Sequence, residues 1–153
     1  MDRVWEHFYR EYAFRPSVYA KDWPSVQPKG YHLKLDISAC FGTERMPACE
    51  ARVEEFAKTL FLRLTRPGDR LIALDWQHEC FDFDPRQGWS EEGAWTIPVF
   101  PDGDYYIFLT PDLANIWFGH PWEQSVTLLG EGISRLADAL KDEFGDIFRE
   151  FAK

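Results

Sequence analysis

The chain contains no long apolar segment, only three cysteines and few positive charges in its central third. No run approaches the ~18 apolar residues that a membrane span needs. The first residues, MDRVWEHFYREY, mix charges of both signs where a secretory signal would be apolar. An odd number of cysteines without C-x-x-C spacing argues against a disulfide framework or a cysteine zinc site. We therefore expect a cytoplasmic protein with free thiols.

Signature motifs of catalysis are also lacking. There is no G-x-S-x-G element for a serine nucleophile, and LGEGIS at 129–134 lacks the lysine of a phosphate-binding loop. Neither an H-E-x-x-H pair nor an EF-hand loop occurs. From these absences we expect no cofactor and no bound metal.

Positive charge is scarce in one part of the chain. The net charge is −9, and residues 66–123 carry three Lys or Arg against eleven Asp or Glu. Direct binding to nucleic acid is disfavoured, because phosphate neutralisation requires clustered Lys and Arg. An acidic surface attracts basic partners and speeds their association. The alternative is that the acidic residues only keep the protein soluble.

Aromatic residues are abundant. They make up 17% of the chain, so 153 residues suffice for a large core and for one domain spanning 1–153. Five of the seven tryptophans fall in the acidic central third: Trp76, Trp89, Trp95, Trp117 and Trp122. Acidic and aromatic side chains from one continuous segment could together form a binding surface.

Three segments show the apolar periodicity of helices. In 2–13 the stripe is Val4, Phe8 and Tyr12, and in 46–64 it runs from Cys49 to Leu64 with Pro47 in the first turn. The third helix is predicted over 131–144, and DIFREF after Gly145 is predicted to form a short helical turn.

Strands are predicted between these helices. Residues 31–38 alternate strictly between apolar and polar. Residues 69–85 suggest a long strand. Its apolar residues switch from even to odd positions near His78–Phe81, so a bulge or bend is required there if both sets face the core. WTIPVF and DYYIFL flank the turn sequence PDGD and are predicted to pair as a hairpin. Residues 121–129 form a further strand. The order and the short connections predict an α+β fold with a mostly antiparallel sheet of about five strands and helices packed on one face.

The segment WFGHPWEQS at 117–125 contains the first candidate site. His120 and Glu123 could act as a general acid–base pair, because imidazole titrates near neutrality. The alternative, which we favour, is a structural corner that leads into a strand, with His120 bonded to the backbone and Trp122 anchored in the core.

Two acidic segments are weaker candidates. DWQHECFDFD at 75–84 could bind a divalent cation through Asp75, His78, Glu79, Asp82 and Asp84, but its spacing matches no metal motif and a solvated acidic face is favoured. Asp102 and Asp104 in PDGD could form a catalytic carboxylate pair, although the chemistry of the turn explains both.

The segment 101–133, together with the residues from Trp95 that lead into it, resembles a bacterial family known as a domain of unknown function, number 2716. Its motifs comprise the hairpin W-x-I-x-V-x-P-D-G-D-Y-Y-I-F-L from Trp95 to Leu109, then F-G-H-P-W-E at 118–123 and a return strand ending at Leu129–Glu131. VWEHFYREY near the start also fits. The resemblance implies a small bacterial cytoplasmic domain without an assigned activity. It also suggests that Asp102, Asp104, His120, Trp122 and Glu123 form one motif.

Two hypotheses for function follow. The first is a non-enzymatic acidic protein that binds a basic protein, in its sharpest form an immunity-type inhibitor of a nuclease-like toxin. The second is a small enzyme or ligand-binding domain with an aromatic and acidic pocket around His120 and Glu123. The candidate binding residues are Asp102, Asp104, Trp117, His120, Trp122 and Glu123, of which His120 and Glu123 are the catalytic candidates.

Overall fold

A computed structural model describes residues 1–87 and 97–150. Their regular elements are three α-helices and seven strands. In chain order these are α1 (Asp2–Tyr12), β1 (His32–Asp36), α2 (Met46–Leu64), β2 (Leu71–Asp75), β3 (Phe81–Phe83), β4 (Tyr106–Leu109), β5 (Ile116–His120), β6 (Ser125–Leu129), α3 (Glu131–Leu140) and β7 (Arg149–Glu150).

The strands form one antiparallel sheet in the order β3-β2-β4-β5-β6-β1-β7. Short turns join β2 to β3, β4 to β5 and β5 to β6, and such turns connect only antiparallel neighbours. The predicted α+β class with an antiparallel sheet is confirmed, with seven strands in the described residues rather than about five.

One face of the sheet packs against α2 and α3. Phe108 of β4 and Trp117 of β5 lie opposite each other in the register, and both contact Phe61 of α2. The stripe predicted for the second helix supplies five of its buried residues: Cys49, Val53, Phe56, Ala57 and Leu60. Phe61 is also buried, whereas Leu64, the last residue of the predicted stripe, is only half-buried. This face holds the larger core cluster.

The opposite face packs against α1. Ile107 and Phe118, whose side chains alternate with those of Phe108 and Trp117, form a second cluster with Phe8 of the helix. Helices therefore cover both faces, and the expectation of helices on one face was incomplete. The reason is that β5 is buried at every position and β4 at three of its four positions, so both strands need cover on each side.

The helix predictions and the strand at 31–38 are confirmed with small shifts at their ends. The long strand at 69–85 is wrong. The chain reverses after Asp75, and β2 and β3 pair as an antiparallel hairpin in which Leu71 lies opposite Phe83. The switch of apolar residues from even to odd positions near 78–81 therefore reflects the turn between β2 and β3 and not a bulge.

The predicted hairpin across PDGD is also wrong. Trp95 and Thr96 lie outside the described residues, residues 97–100 form no strand, and β4 pairs with β2 and β5 instead. Gly103 does have the positive φ expected of the turn, 92°. The predicted helical turn in DIFREF is replaced by β7, which extends the sheet beside β1.

No helix in residues 1–87 and 97–150 is long and apolar enough to cross a bilayer. All three cysteines are free thiols, as expected, with Cys40 and Cys49 buried and Cys80 half-buried.

Arg86 closes the C-terminal end of α2, where carbonyl groups lack helical partners. Its guanidinium donates to the carbonyl oxygens of Leu62, Thr65 and Arg66 at 3.1, 2.7 and 3.1 Å, and to Thr65 Oγ1 at 2.9 Å. We expect Arg86→Met, which keeps the apolar stem, to lower the free energy of unfolding by about 2 kcal/mol through loss of these charge-assisted bonds. Urea unfolding measures the change.

The matched control is Arg66→Met, because Arg66 is exposed and enters this network only through its backbone carbonyl. We expect the control to change stability by less than about 0.5 kcal/mol. Equal losses in the two variants would contradict the capping role of Arg86.

Candidate functional site

The predicted motif residues lie at one end of the sheet, where β2 ends, β4 begins and the β5–β6 turn reverses the chain. Tyr106 lies opposite Gly119, and His120 lies opposite Ser125. The ring of Tyr105 contacts that of His120, with centroids 4.9 Å apart. The PDGD turn and the GHPWE corner are therefore neighbours in space.

His120 is buried and bonded at both ring nitrogens. Its Nδ1 accepts hydrogen bonds from the backbone N–H groups of Trp122 and Glu123, at 3.1 and 3.0 Å. Because Nδ1 accepts, the ring proton is on Nε2, which donates to Ser25 Oγ at 2.9 Å. His120 thus holds the β5–β6 turn to the segment that precedes β1.

This arrangement does not suit acid–base chemistry. Burial, with a smaller contribution from the charge of Lys34, lowers the pKa of His120 to about 3. The ring is neutral at pH 7, and its lone pair is occupied by two backbone donors. Serine activation would require Nε2 to accept the Ser25 proton, whereas Nε2 is the donor here.

Glu123 is nearly buried and forms a local ion pair. One carboxylate oxygen contacts Lys34 Nζ at 3.1 Å, and the other accepts a hydrogen bond from Ser125. Asp104, by contrast, contacts residues of the β2–β3 turn. Glu123 and Asp104, two of the three carboxylates of the predicted motif, are therefore engaged with different partners.

The tryptophans divide between core and surface. Trp117 is 0% exposed and packs against Phe56 and Phe61, so it has no surface to offer a partner. Trp122 is 49% and Trp76 45% exposed, so the expectation that Trp122 is anchored in the core is wrong. Trp89 and Trp95, which also belong to the predicted acidic and aromatic surface, lie outside the described residues.

Asp75, His78 and Asp104 form a cluster of titratable side chains at the same end of the sheet. Asp75 ends β2 and lies opposite Tyr106 of β4, so Asp104, two residues earlier, comes beside it. His78 Nδ1 lies 3.1 Å from Asp75 Oδ2 and 3.4 Å from Asp104 Oδ2. The three groups could together ligate a metal ion, since one ligand atom from each lies within 4.8 Å of the others. All three residues are candidates by their sequence, but no sequence motif groups them.

The two carboxyl groups of this cluster differ in pKa. Burial and the neighbouring Asp75 raise the pKa of Asp104 to about 6. Burial acts in the same sense on Asp75, but hydrogen bonds from Asp104, the Gln77 N–H and His78 outweigh it and lower the pKa of Asp75. At neutral pH the cluster is a concentration of negative charge within a partly buried site.

Beside the cluster lies a concave region, which we call the acidic groove. It consists of two adjoining cavities of about 570 and 330 Å³ that share Ile97, Pro98 and Tyr106. Its carboxylates come from α2, the β2–β3 region and the PDGD turn: Glu50, Glu54, Asp75, Glu79 and Asp102. No Lys or Arg is among the described residues that line either cavity.

The floor of the acidic groove is apolar and aromatic. Tyr106 lies at its centre, and burial together with nearby carboxylates raises the pKa of its phenol. An aromatic ring and an apolar floor accommodate the stem of a lysine or arginine, while the carboxylates attract its charged end. The groove therefore has the chemistry of a receptor for cations.

His120 and Asp104 are expected to impose opposite pH dependences on stability. The pKa of His120 is about 3 in the folded state against 6.5 ordinarily, so acid below about pH 6.5 favours the unfolded chain by up to about 1.4 kcal/mol per pH unit. The pKa of Asp104 is about 6 against 3.8, so its proton uptake favours the folded chain between about pH 6 and 4. In the unmodified protein the two slopes should largely cancel in that interval.

Comparison of Asp104→Asn with Asp104→Asn/His120→Asn between pH 6 and 4 separates these effects. Urea unfolding should show the single variant losing about 1.4 kcal/mol per pH unit more than the double variant. Identical slopes would mean that His120 takes up a proton without unfolding, against the bonding described above.

The fold and the groove define a small α+β protein with an antiparallel sheet and a cation-attracting surface. The family model described as "Protein of unknown function (DUF2716)" matches residues 1–133, and the chain belongs to this family, which confirms the resemblance noted in the sequence. It is similar to the uncharacterized protein YxiI of Bacillus subtilis (strain 168), 29% identical over 97% of this chain and 91% of that protein. No solved structure matches the chain significantly.

Proposed function

We propose that this is a non-enzymatic binding protein of the bacterial cytoplasm that captures a basic protein in the acidic groove. The observation that carries the proposal is the groove itself, in which carboxylates from three parts of the chain surround an apolar floor. A lysine or arginine side chain fits this combination, because its stem gains apolar contact and its head gains opposite charge.

The charge distribution supports a protein partner. Most of the net charge of −9 arises from residues 66–123, which supply Asp75, Glu79 and Asp102 to the groove. Such a field steers a basic partner toward the surface and raises the association rate. Nucleases carry basic surfaces because they bind phosphate. An immunity-type inhibitor of a nuclease-like toxin is accordingly the sharpest form of the proposal.

The alternative of an enzyme or ligand pocket around His120 and Glu123 draws no support from their geometry. The His120 lone pair is held by two backbone N–H groups, and the Glu123 carboxylate is held by Lys34 and Ser125. A small cationic ligand in the acidic groove is the form of that alternative that the cavities accommodate.

Titration with a fluorescent nona-arginine peptide tests the groove. We expect Glu50→Gln/Glu54→Gln/Asp102→Asn to weaken binding about tenfold at 50 mM salt, because each charge contributes about 0.5 kcal/mol. Binding by the unmodified protein should weaken at 500 mM salt, as screening shortens the range of the field.

A charge-matched variant controls for the overall field. Glu131→Gln/Asp142→Asn/Glu143→Gln changes the net charge by the same amount at exposed positions on α3 and the turn that follows it. It should weaken peptide binding by less than about threefold. Equal weakening by the two triple variants would refute a role for the groove and leave only non-specific attraction.

A further inference from the structure

The Asp75, His78 and Asp104 cluster is assembled by the sheet and not by a local motif. Asp75 and His78 belong to the end of β2 and the turn after it, while Asp104 precedes β4, the neighbouring strand. Asp75 and Asp104 are 29 positions apart in the sequence and come together because β2 and β4 are hydrogen-bonded partners. The paired strands thus bring Asp75 beside Asp104, and the turn after β2 adds His78.

The distances within the cluster match those between ligands of one ion. His78 Nδ1 is 3.1 Å from Asp75 Oδ2 and 3.4 Å from Asp104 Oδ2. Ligand atoms ~2.0–2.1 Å from a tetrahedral zinc ion lie roughly 3.3–3.4 Å apart. All three ligand atoms lie within 4.8 Å of one another, which is close enough for one ion to contact each of them.

Asp104 carries an independent indication of a ligand. Its residue is only 3% exposed, and Oδ1 accepts a hydrogen bond from the Tyr105 N–H at 2.7 Å. The other oxygen, Oδ2, is fully buried and accepts no hydrogen bond from the part of the chain that the structure describes. Oδ2 lies 3.4 Å from His78 Nδ1 and beside the Asp75 carboxylate, and a cation shared by the three groups would satisfy this buried oxygen.

The second carboxylate is oriented by the turn. Asp75 Oδ1 accepts hydrogen bonds from the backbone N–H groups of Gln77 and His78, at 3.0 and 3.2 Å. These bonds hold the carboxylate toward the imidazole, as outer contacts do around known metal ligands.

We propose that Asp75, His78 and Asp104 bind one divalent transition-metal ion of the zinc class. Imidazole nitrogen favours zinc and its first-row neighbours, whereas calcium requires six to eight oxygens. Three protein ligands leave at least one coordination position open. Because Asp75 and His78 also line the 570 Å³ cavity, a water molecule or a small donor group can complete the coordination there.

The proposed metal site is separable from the proposed capture of a basic protein. A divalent ion balances the charges of Asp75 and Asp104, while Glu50, Glu54 and Asp102 remain to attract a partner. The two proposals can be tested independently, because the variants that test them change different residues.

Isothermal titration of the metal-free full chain with zinc chloride, and separately with manganese chloride, tests the site. We expect one ion per chain, bound with micromolar or tighter affinity for zinc. Asp104→Asn and His78→Ala should each weaken binding at least tenfold, and zinc should raise the melting temperature of the unmodified protein but not of these variants. Melting curves without metal show whether each variant is folded.

Controls distinguish the cluster from other donors. His32→Ala removes an exposed histidine and Asp82→Asn an exposed carboxylate outside the cluster, and both should bind zinc as the unmodified protein does. Cys80→Ser tests the nearby thiol in the same way. Affinity weaker than millimolar for both metals would overturn the proposal, as would undiminished binding in folded Asp104→Asn/His78→Ala.

Discussion

We expect the free energy of unfolding of the His120→Ala variant to be about 3–5 kcal/mol lower than that of the unmodified protein. The change leaves the partly buried N–H groups of Trp122 and Glu123 without an acceptor, each at about 1–3 kcal/mol, and opens a cavity beside Ser25. Urea unfolding at pH 7.5, where the ring is neutral, measures the loss.

His120→Asn provides the matched comparison. Asparagine Oδ1 is separated from the backbone by the same number of bonds as histidine Nδ1, so it can accept the same two N–H groups. We expect His120→Asn to lower the free energy of unfolding by about half as much as His120→Ala does. If alanine and asparagine were equally destabilising, the acceptor role of Nδ1 would be refuted, and packing of the ring would account for the effect.

We expect Trp117→Ala to lower the free energy of unfolding by about 3–5 kcal/mol, because a large cavity opens between β5 and α2. Trp117 was a predicted binding residue, but its indole is enclosed by Phe56, Phe61 and the surrounding core. Denaturant unfolding should reveal the loss, and at temperatures where the variant remains folded its binding of nona-arginine should be unchanged.

Trp117→Phe separates packing from hydrogen bonding. The indole N–H of Trp117 has no acceptor among the described residues, so phenylalanine removes no hydrogen bond and costs only the smaller volume, about 1–2 kcal/mol. A folded Trp117→Ala variant that lost affinity for the peptide would show that the indole takes part in binding despite its burial.

Local periodicity predicted the elements that contact the rest of the fold through one face. The alternation at 31–38 and the stripe of 46–64 were sufficient, because β1 and α2 each bury one side. The apolar run of β4 was predicted as a strand within DYYIFL, but β5 was not predicted, because a strand buried on both faces shows no alternation of apolar and polar residues. The wrong hairpin across PDGD followed, because turn chemistry indicates a reversal but not the partner strand.

The site was predicted only in part. The interpretation of His120 as a structural corner agrees with its bonds, because Gly119 and Pro121 flank it and the N–H groups it accepts are two and three residues away. Asp104 was assigned to its turn, and nothing near it in sequence indicated Asp75. The D-x-x-H spacing of Asp75 and His78 at the end of an apolar strand was the available signal.

The amino-acid sequence by itself determined the family, the α+β class, the acidic character and which segments are helices, since each depends on composition or on contacts a few residues apart. Only the tertiary structure decided that α1 covers the second face of the sheet, that Trp117 is interior, and that Asp104 meets Asp75 and His78. Those outcomes depend on which strands are neighbours. Strand pairing depends on how the apolar surface of the whole chain is buried, and a local sequence pattern does not show this.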